Sequence, residues 1–261
     1  MQEELSITLF QHNILWHRPE ENRQQVAEAM LAAPKSDIFV IPETFTTGFG
    51  EGMADLAEET EGPTLQWARN IATLTGALVV GTWIVRDGGQ CYNRLHWILP
   101  NGTYGHYDKA HTFRPSGEHD VITCGRERTV FEYKGWRIKP SVCYDLRFPT
   151  WLRNGRLSNS QSDSMDYDLL LVCANWPASR REAWRTLLRA RAIENLCYVA
   201  GCNRMGEDGA GGLYSGDSAI ISYKGLPLQE AENGQPSIKH TLSKEKLDNF
   251  RQHWPLYLDF D

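Results

Sequence analysis

The sequence lacks the features of a membrane-spanning or secreted protein. None of its 261 residues fall in an apolar run of the roughly 18 residues that a transmembrane helix needs. The first residues, "MQEELSITLFQHN", have neither the basic start nor the apolar block of a secretory signal. We therefore expect a cytoplasmic protein that does not associate with membranes.

Positive charge is also scarce. The chain has 27 Lys and Arg residues against 33 Asp and Glu residues, a net charge of −6 and a pI of about 5.8. A nucleic-acid-binding protein needs a basic surface to neutralise phosphates. The composition therefore argues against a nucleic-acid partner.

Sequence motifs for metals and for several hydrolase classes are absent. There is no C-x-x-C and no H-E-x-x-H, so we expect no zinc site. A G-x-S-x-G motif is missing, and "GEDGAGG" lacks the G-K-[ST] ending of a phosphate-binding loop. The six cysteines, at positions 91, 124, 143, 173, 197 and 202, are expected to be free thiols in a reducing compartment, most of them in the core. In the predicted strand "NLCYVAGCNR", Cys197 and Cys202 should face opposite sides.

Strand-like and helix-like segments alternate along the chain. Strands are predicted in "LSITLFQ", "DIFVIPE", "DYDLLLVCANWP" and "CYVAGCN", and hairpins at "RDGGQ", at Gly135 and at Lys224-Gly225. The chain thus reads as an α/β protein, a four-layer αββα sandwich of two mixed β-sheets flanked by helices, in a single domain over residues 1–261. The Ser/Asn-rich stretch at residues 154–166 is predicted to be a surface loop.

Five segments have helical patterns. We expect a first helix that buries Val26, Met30 and Leu31, a second between Thr64 and Gly76, a short one at "RFPTWLRN", and a last one that starts at Ser243. The amphipathic segment "RREAWRTLLRARAIENL" should bury one side, formed by Trp184, Leu187, Leu188 and Ile193.

Reactive side chains stand at three predicted strand ends. Glu43 follows "DIFVIP", Lys109 follows "YGHYD", and Cys143 ends "RIKPSV". A carboxylate can take the proton of a thiol as the sulfur attacks a carbonyl, and an ammonium can stabilise the resulting oxyanion. If a helix starts just after Cys143, the amide of Tyr144 is a second oxyanion donor and the helix N-terminus favours the thiolate. Taken singly, Glu43 and Lys109 are better explained as solvated surface groups, and Cys143 is better explained as a core thiol.

The segments "IPETFTTGF", "YDKAHTF" and "VCYDLRFP", with the later "ANWP" and "RARAIEN", resemble the nitrilase (carbon–nitrogen hydrolase) superfamily over nearly the whole chain. The resemblance implies an αββα sandwich that forms homodimers or higher homo-oligomers through its helices. It implies a Glu-Lys-Cys triad of Glu43, Lys109 and Cys143, with Glu118 orienting the lysine. It further implies amide hydrolysis through a thioester, with no metal or organic cofactor.

Within the superfamily, "CYDLRFP" followed by "VCANWP" resembles the omega-amidase branch, which deamidates small dicarboxylic ω-monoamides such as 2-oxoglutaramate and 2-oxosuccinamate. A substrate carboxylate favours an arginine partner, and Arg114 and Arg180 lie on predicted loops near the site. Trp176 and Asn175 are candidate walls of the pocket, whereas Arg147 is expected to pair with Asp145 or Glu194. A nitrilase, an aliphatic amidase, a carbamoylase, a catalytically silent dimeric binding protein and a redox-sensing thiol at Cys143 remain alternatives.

Overall fold

The computed structural model describes residues 3–155, 165–232 and 234–259. Fifteen strands occur in this part of the chain: β1 (Glu4–Phe10), β2 (Ile38–Val40), β3 (Glu58–Glu59), β4 (Leu78–Asp87), β5 (Gln90–Ile98), β6 (Tyr104–Asp108), β7 (Phe131–Tyr133), β8 (Trp136–Val142), β9 (Leu169–Ala174), β10 (Tyr198–Asn203), β11 (Met205–Glu207), β12 (Leu213–Ser215), β13 (Ala219–Ile221), β14 (Pro227–Glu230) and β15 (Ser237–Ser243). The α-helices of the same ranges are α1 (Pro19–Ala32), α2 (Pro63–Thr75), α3 (Glu118–Val121), α4 (Arg181–Asn195) and α5 (Lys244–His253).

Two mixed sheets form the middle of the molecule. The first has the order β15-β1-β2-β4-β5-β6, with β3 beside β4, and the second has the order β14-β13-β10-β9-β8-β7. Pairing is parallel between β1, β2 and β4 and between β8, β9 and β10, and antiparallel in the hairpins at the sheet margins. The hairpins were correctly predicted, including the one whose turn residues Lys134 and Gly135 both have positive φ.

Three apolar clusters hold the four layers of the fold together. Side chains from both sheets, such as Val40 and Leu171, share one core between the sheets. The outer face of the first sheet packs on α1 and α2, and that of the second packs on α4. The strand β2, "IFV", is apolar throughout because both of its faces are covered. The predicted αββα sandwich is confirmed.

Several helix predictions need correction. In α1, Val26 and Met30 are buried, but Leu31 is 55% exposed because the apolar stripe is narrower than the pattern suggested. In α4, Trp184 and Leu188 are buried and Ile193 is 53% exposed. Ser243 caps α5 as predicted, and its hydroxyl accepts the amide of Lys246.

The predicted helix in "RFPTWLRN" is wrong. A short 3₁₀ segment runs instead from Cys143 to Arg147, and Phe148, which follows it, has a φ of −111° and a ψ of 88°, outside the helical region. Phe148 precedes Pro149, and a residue before proline is disfavoured in the helical region. The proline thus explains why the 3₁₀ turn ends where it does, and the turn begins at Cys143 itself.

The remaining sequence predictions have mixed outcomes. Cys197 and Cys202 lie in different apolar clusters, on opposite sides of the second sheet as predicted. Residues 156–164 of the predicted Ser/Asn-rich loop lie outside the described residues. Among the described residues, no helix combines the length and apolarity required to cross a bilayer.

Candidate active site

Cys143 lies at a sharp bend directly after β8. Its φ is +41°, a left-handed conformation that a residue other than glycine adopts only when the surroundings impose it. The buried Asp145 carboxylate supports the bend, since Oδ2 accepts the Val142 amide at 3.1 Å and Oδ1 accepts the His111 amide at 2.9 Å. Tyr107 also donates its hydroxyl to Oδ2 at 2.8 Å. Cys143 is half-buried at this bend and lines a cavity.

Glu43 follows β2 of the first sheet and lies beside the thiol of Cys143. Its side chain is fully buried, and its two oxygens have different partners. Oε2 accepts the amide of Asn175 at 2.8 Å, and Oε1 accepts the ammonium of Lys109 at 2.8 Å. Because Asn175 follows β9, these bonds connect the ends of strands from both sheets.

Lys109 lies between two carboxylates. Its Nζ is 2.8 Å from Glu43 Oε1 and 3.0 and 2.9 Å from the two oxygens of Glu118. These contacts use the three N–H donors of the ammonium. Phe113 donates its amide to Glu118 as well. The structure thus brings together Glu43, Lys109, Glu118 and Cys143, which are distant in the sequence.

Asn93 was missed in the sequence. It lies on β5, fully buried, and its Nδ2 donates to Glu43 Oε1 at 2.8 Å and to Glu118 Oε1 at 3.2 Å. It therefore holds both acids that contact Lys109. The only signal was one amide side chain in a strand of mixed polar and apolar residues, "CYNRLHWIL", a pattern that many surface strands share.

Burial and charge perturb these groups in opposite directions. Burial alone would lower the pKa of Lys109, but the Glu118 and Glu43 carboxylates raise it above the ordinary lysine value. Burial, reinforced by Glu43, raises the pKa of Glu118 despite the charge of Lys109. Burial and the charge of Glu43 raise the pKa of the Cys143 thiol well above its usual value, so the resting sulfur is protonated. The prediction that a helix N-terminus favours the thiolate is wrong, since only a short 3₁₀ turn is present.

The cavity beside Cys143 has a volume of about 200 Å³. Its walls include five aromatic residues, Phe49, Phe113, Tyr144, Trp176 and Tyr214. This volume is below the roughly 300–1,000 Å³ of pockets for drug-sized ligands, which indicates a small substrate. No group of three or more His, Cys, Asp or Glu side chains within the described ranges is arranged to hold a metal ion.

The candidate substrate-binding residues lie in different places. Trp176, Asn175 and Arg180 line the cavity. The Asn175 side chain is used structurally, because Nδ2 donates to the Glu43 carbonyl at 2.8 Å and to Thr44 Oγ1 at 3.0 Å. Arg114 is exposed and does not line the cavity; its neighbours Phe113 and Ser116 do, because the 3₁₀ turn of Arg114–Ser116 directs them inward.

Arg147 corrects another prediction, since it lines the cavity and pairs with neither Asp145 nor Glu194. Asp145 is taken by the groups described above, and Glu194 binds Arg191 at 2.8 Å. The Arg147 guanidinium instead lies 4.8 Å from the centroid of the Trp176 ring. Both acids that the sequence suggested as partners of Arg147 are therefore wrong.

Known proteins resemble this chain in both sequence and structure. Residues 6–251 match the carbon-nitrogen hydrolase family. The chain is 42% identical over 259 residues to the omega-amidase YafV of Yersinia enterocolitica, covering 98% of this chain and 97% of that protein. It is 30% identical over 258 residues to the 2-oxoglutaramate amidase of Bacillus subtilis, covering 97% and 96%. The crystal structure of XC1258 from Xanthomonas campestris, a CN-hydrolase superfamily protein with an arsenic adduct in its active site, has a TM-score of 0.96 and 44% identity, covering 100% of this chain and 98% of that one.

A thiol, an ammonium and two carboxylates that meet at strand ends of an αββα sandwich define the class of carbon–nitrogen hydrolases. The chain belongs to the carbon-nitrogen hydrolase family, as its sequence predicted. As a member of that family it is an amide-hydrolysing enzyme.

Proposed function

We propose that the protein is a cysteine-dependent omega-amidase, which releases ammonia from a small dicarboxylic ω-monoamide such as 2-oxoglutaramate or 2-oxosuccinamate. The observation that carries this proposal is a pair of arginines in the wall of the small cavity that contains Cys143. The names of the omega-amidase and 2-oxoglutaramate amidase relatives support the same substrate class.

The two arginines suit a substrate carboxylate. The Arg147 guanidinium lies over the Trp176 ring, and the Arg180 guanidinium lies 5.0 Å from the centroid of the Phe113 ring. Neither guanidinium has a carboxylate within ion-pair distance among the described residues. Stacking on an aromatic ring leaves the N–H edge of a guanidinium available for an anion. A monoamide with a free carboxylate therefore has a partner for each of its ends.

Asp208 also lines the cavity, but its carboxylate is already engaged. Oδ1 accepts the amides of Ala210 and Gly212 at 2.9 and 2.8 Å, and Oδ2 accepts the Tyr214 hydroxyl at 2.9 Å. These neutral donors hold the carboxylate in place without removing its negative charge, so the two arginines exceed it by one positive charge. The balance of charge in the cavity favours an anionic substrate.

In the proposed acylation, the Cys143 sulfur forms a bond to the amide carbon while its proton passes to Glu43. The raised pKa of the thiol makes this concerted transfer necessary, because little thiolate exists beforehand. The Tyr144 amide, in the first turn after the thiol, is the proposed oxyanion donor. The three N–H donors of Lys109 are occupied by carboxylates, so we assign it a role through its charge.

The intermediate then collapses with loss of ammonia. Glu43 returns the proton to the leaving nitrogen, the C–N bond breaks, and a thioester remains on Cys143. Glu43 next accepts a proton from a water molecule that attacks the thioester carbon, and the S–C bond breaks to release the acid and the thiol. Glu118 keeps Lys109 in place throughout, through the two contacts at 2.9 and 3.0 Å.

Two features of organisation are also proposals. We infer a single domain over residues 1–261, because side chains of both sheets share one core. We infer a homodimer or larger homo-oligomer, which is supported by the exposed apolar side chains of Ile193 and Leu226 beside each other near Gly225. Gel filtration with light scattering tests the second inference, and a monomer at micromolar concentration would refute it.

An ammonia-release assay tests the function. We expect 2-oxoglutaramate and 2-oxosuccinamate to be better substrates than glutamine, asparagine, simple aliphatic amides or a nitrile. Cys143→Ala and Glu43→Gln should abolish release. Faster turnover of a simple amide or of a nitrile would support a general amidase or a nitrilase and contradict the omega-amidase.

Arginine variants test the substrate carboxylate separately. Arg147→Met and Arg180→Met should each lower kcat/KM for 2-oxoglutaramate by about 10- to 100-fold, since a hydrogen bond to a charged group contributes about 1.5–3 kcal/mol. Turnover of an uncharged amide should be unaffected, and the exposed Arg114→Met is the matched control. Equal losses on charged and uncharged amides would contradict the assignment.

A further inference from the structure

A second cavity lies on the outer face of the second sheet, at the edge formed by β7 and β8. Its volume is about 510 Å³, and none of its described lining residues belongs to the cavity of Cys143. Side chains of β8 alternate between the faces of the sheet, so Ile138 and Val142 enter the core between the sheets while Lys139 points outward. The charged residues of the lining are Arg128, Glu132, Arg137, Lys139, Arg153 and Asp166.

Lys139 is the unusual member of this group. Only 3% of the residue is exposed, yet it has no hydrogen bond and no ion pair with any described residue. Its Nζ lies 5.7 Å from the centroid of the Trp151 ring. A buried ammonium is normally paired with an acid, because its transfer from water is otherwise costly.

A second cation lies close to Lys139. The Arg128 guanidinium is 5.9 Å from the centroid of the same Trp151 ring, and it donates to the carbonyls of Thr150 and Arg153 at 3.2 and 3.1 Å. Carbonyl groups do not neutralise its charge. The fold therefore gathers two cations around one ring with no acid in contact with either among the described residues.

The nearby acids have other partners. Arg137 faces Asp168 at 3.6 Å, but Asp168 is held more closely by Lys244 at 2.6 Å and Arg251 at 2.8 Å. Asp166 Oδ2 accepts the Gly155 amide at 3.0 Å, and Glu132 is exposed. Among the described residues, Lys139 and Arg128 are therefore two neighbouring cations of the lining with no acid in ion-pair contact with either.

The pKa of Lys139 reflects the repulsion between Lys139 and Arg128. Burial and the charge of Arg128 lower the pKa of Lys139 to about 8, and the weaker influence of Asp145 and Asp166 does not compensate. An anion between the two cations would remove this penalty.

We propose that the cavity lined by Lys139 and Arg128 is a binding site for a small phosphate group, either inorganic phosphate or a phosphomonoester. A phosphate dianion matches the two charges of Lys139 and Arg128, and its tetrahedral oxygens accept from an ammonium and a guanidinium at once. The volume leaves room for a substituent beyond the phosphate. This site is independent of the proposed amidase activity.

Isothermal titration with inorganic phosphate, at pH 7 and constant ionic strength, tests the proposal. We expect saturable binding of one phosphate per chain to the wild type. Lys139→Met and Arg128→Gln should each weaken it at least about tenfold, as expected when a charged hydrogen-bond partner is removed. The exposed Lys246→Met removes the same charge elsewhere and should bind like the wild type.

Further titrations distinguish this cavity from the cavity of Cys143 and phosphate from other anions. The double variant Arg147→Met, Arg180→Met should retain phosphate binding. If this double variant loses phosphate binding while Lys139→Met keeps it, the anion binds in the Cys143 cavity and the proposal is overturned.

Titration with glucose 6-phosphate shows whether a phosphomonoester or free phosphate binds more tightly. Tighter binding of succinate than of phosphate, or no saturable binding of either, would also overturn it. Arg128 is exposed, so Arg128→Gln remains informative if Lys139→Met fails to fold.

Discussion

Replacement of Lys139 by methionine should stabilise the protein, although it removes a charged side chain from a sheet. The pKa of Lys139 is lowered from 10.5 to about 8 by burial and by Arg128. Each pH unit of such a difference corresponds to about 1.36 kcal/mol, so the charged form costs about 3 kcal/mol of folding free energy at pH 7. Methionine has a similar volume and no charge, so it should fill the same space without this penalty.

The sign of the effect determines its pH dependence. The unfolded chain binds the Lys139 proton more tightly than the folded chain, so the penalty is fully present below pH 8. It disappears as the pH rises from about 8 towards 10.5, where both states lose the proton. We therefore expect the free energies of unfolding of wild type and variant to converge over this interval.

Urea unfolding in phosphate-free buffer at pH 7 and pH 10 measures both quantities. At pH 7 the variant should be more stable by about 3 kcal/mol, equivalent to roughly 6–12 °C in Tm for a chain of this size. Lys246→Met, at an exposed position, should change stability little at either pH. A variant less stable than wild type at pH 7, or a difference that does not change with pH, would refute the prediction.

Three further predictions concern Asn93, Asp168 and Gly81. Asn93→Leu should lower kcat by about 10- to 100-fold with a shifted pH–rate profile, because it removes donors to both acids beside Lys109; steady-state kinetics from pH 5 to 9 measure this. Asp168→Asn should destabilise by about 3–5 kcal/mol in urea unfolding at pH 7, because it removes the acid shared by Lys244 and Arg251. Gly81→Ala should destabilise by about 1–3 kcal/mol in urea, since its Cβ would lie 2.2 Å from Ile41 Cγ1.

The predictions for Asn93 and Gly81 each have a control variant. Asn154→Leu removes a buried amide remote from Lys109, so it should lower stability without altering the pH–rate profile; the same shift in both variants would contradict a specific role for Asn93. Gly81→Ala should be milder in an Ile41→Ala background, and equal penalties would exclude a steric origin.

The Asp168 prediction also has a pH signature. Burial would raise the pKa of Asp168, but Lys244 and Arg251 lower it below 3.8. Its stabilisation is thus present above pH 3.8 and is lost as the pH falls through the lowered pKa. A difference between Asp168→Asn and wild type that persists unchanged at pH 2 would contradict this account.

Local sequence patterns predicted the parts of the fold that depend on local physics. Gly135 marks a hairpin because its left-handed conformation suits few other residues, and the cap at Ser243 follows from one hydrogen bond to a nearby amide. The exposed positions Leu31 and Ile193 were misjudged because the width of a buried stripe depends on what packs against it. Local patterns likewise did not identify Asn93, whose importance lies in contacts with Glu43 and Glu118.

The order of chemically distinctive segments in the sequence was enough to identify the family, and with it the αββα fold. The same segments pointed to Glu43, Lys109, Glu118 and Cys143, because the type of side chain at each strand end can be read directly from the sequence. Tertiary structure alone decided which arginines enter the cavity, since Arg147 and Arg114 differ in orientation rather than in residue type. It alone also decided that Lys139 is buried with no acid in ion-pair contact among the described residues, because burial and pairing depend on residues such as Arg128 and Trp151 that the fold brings together.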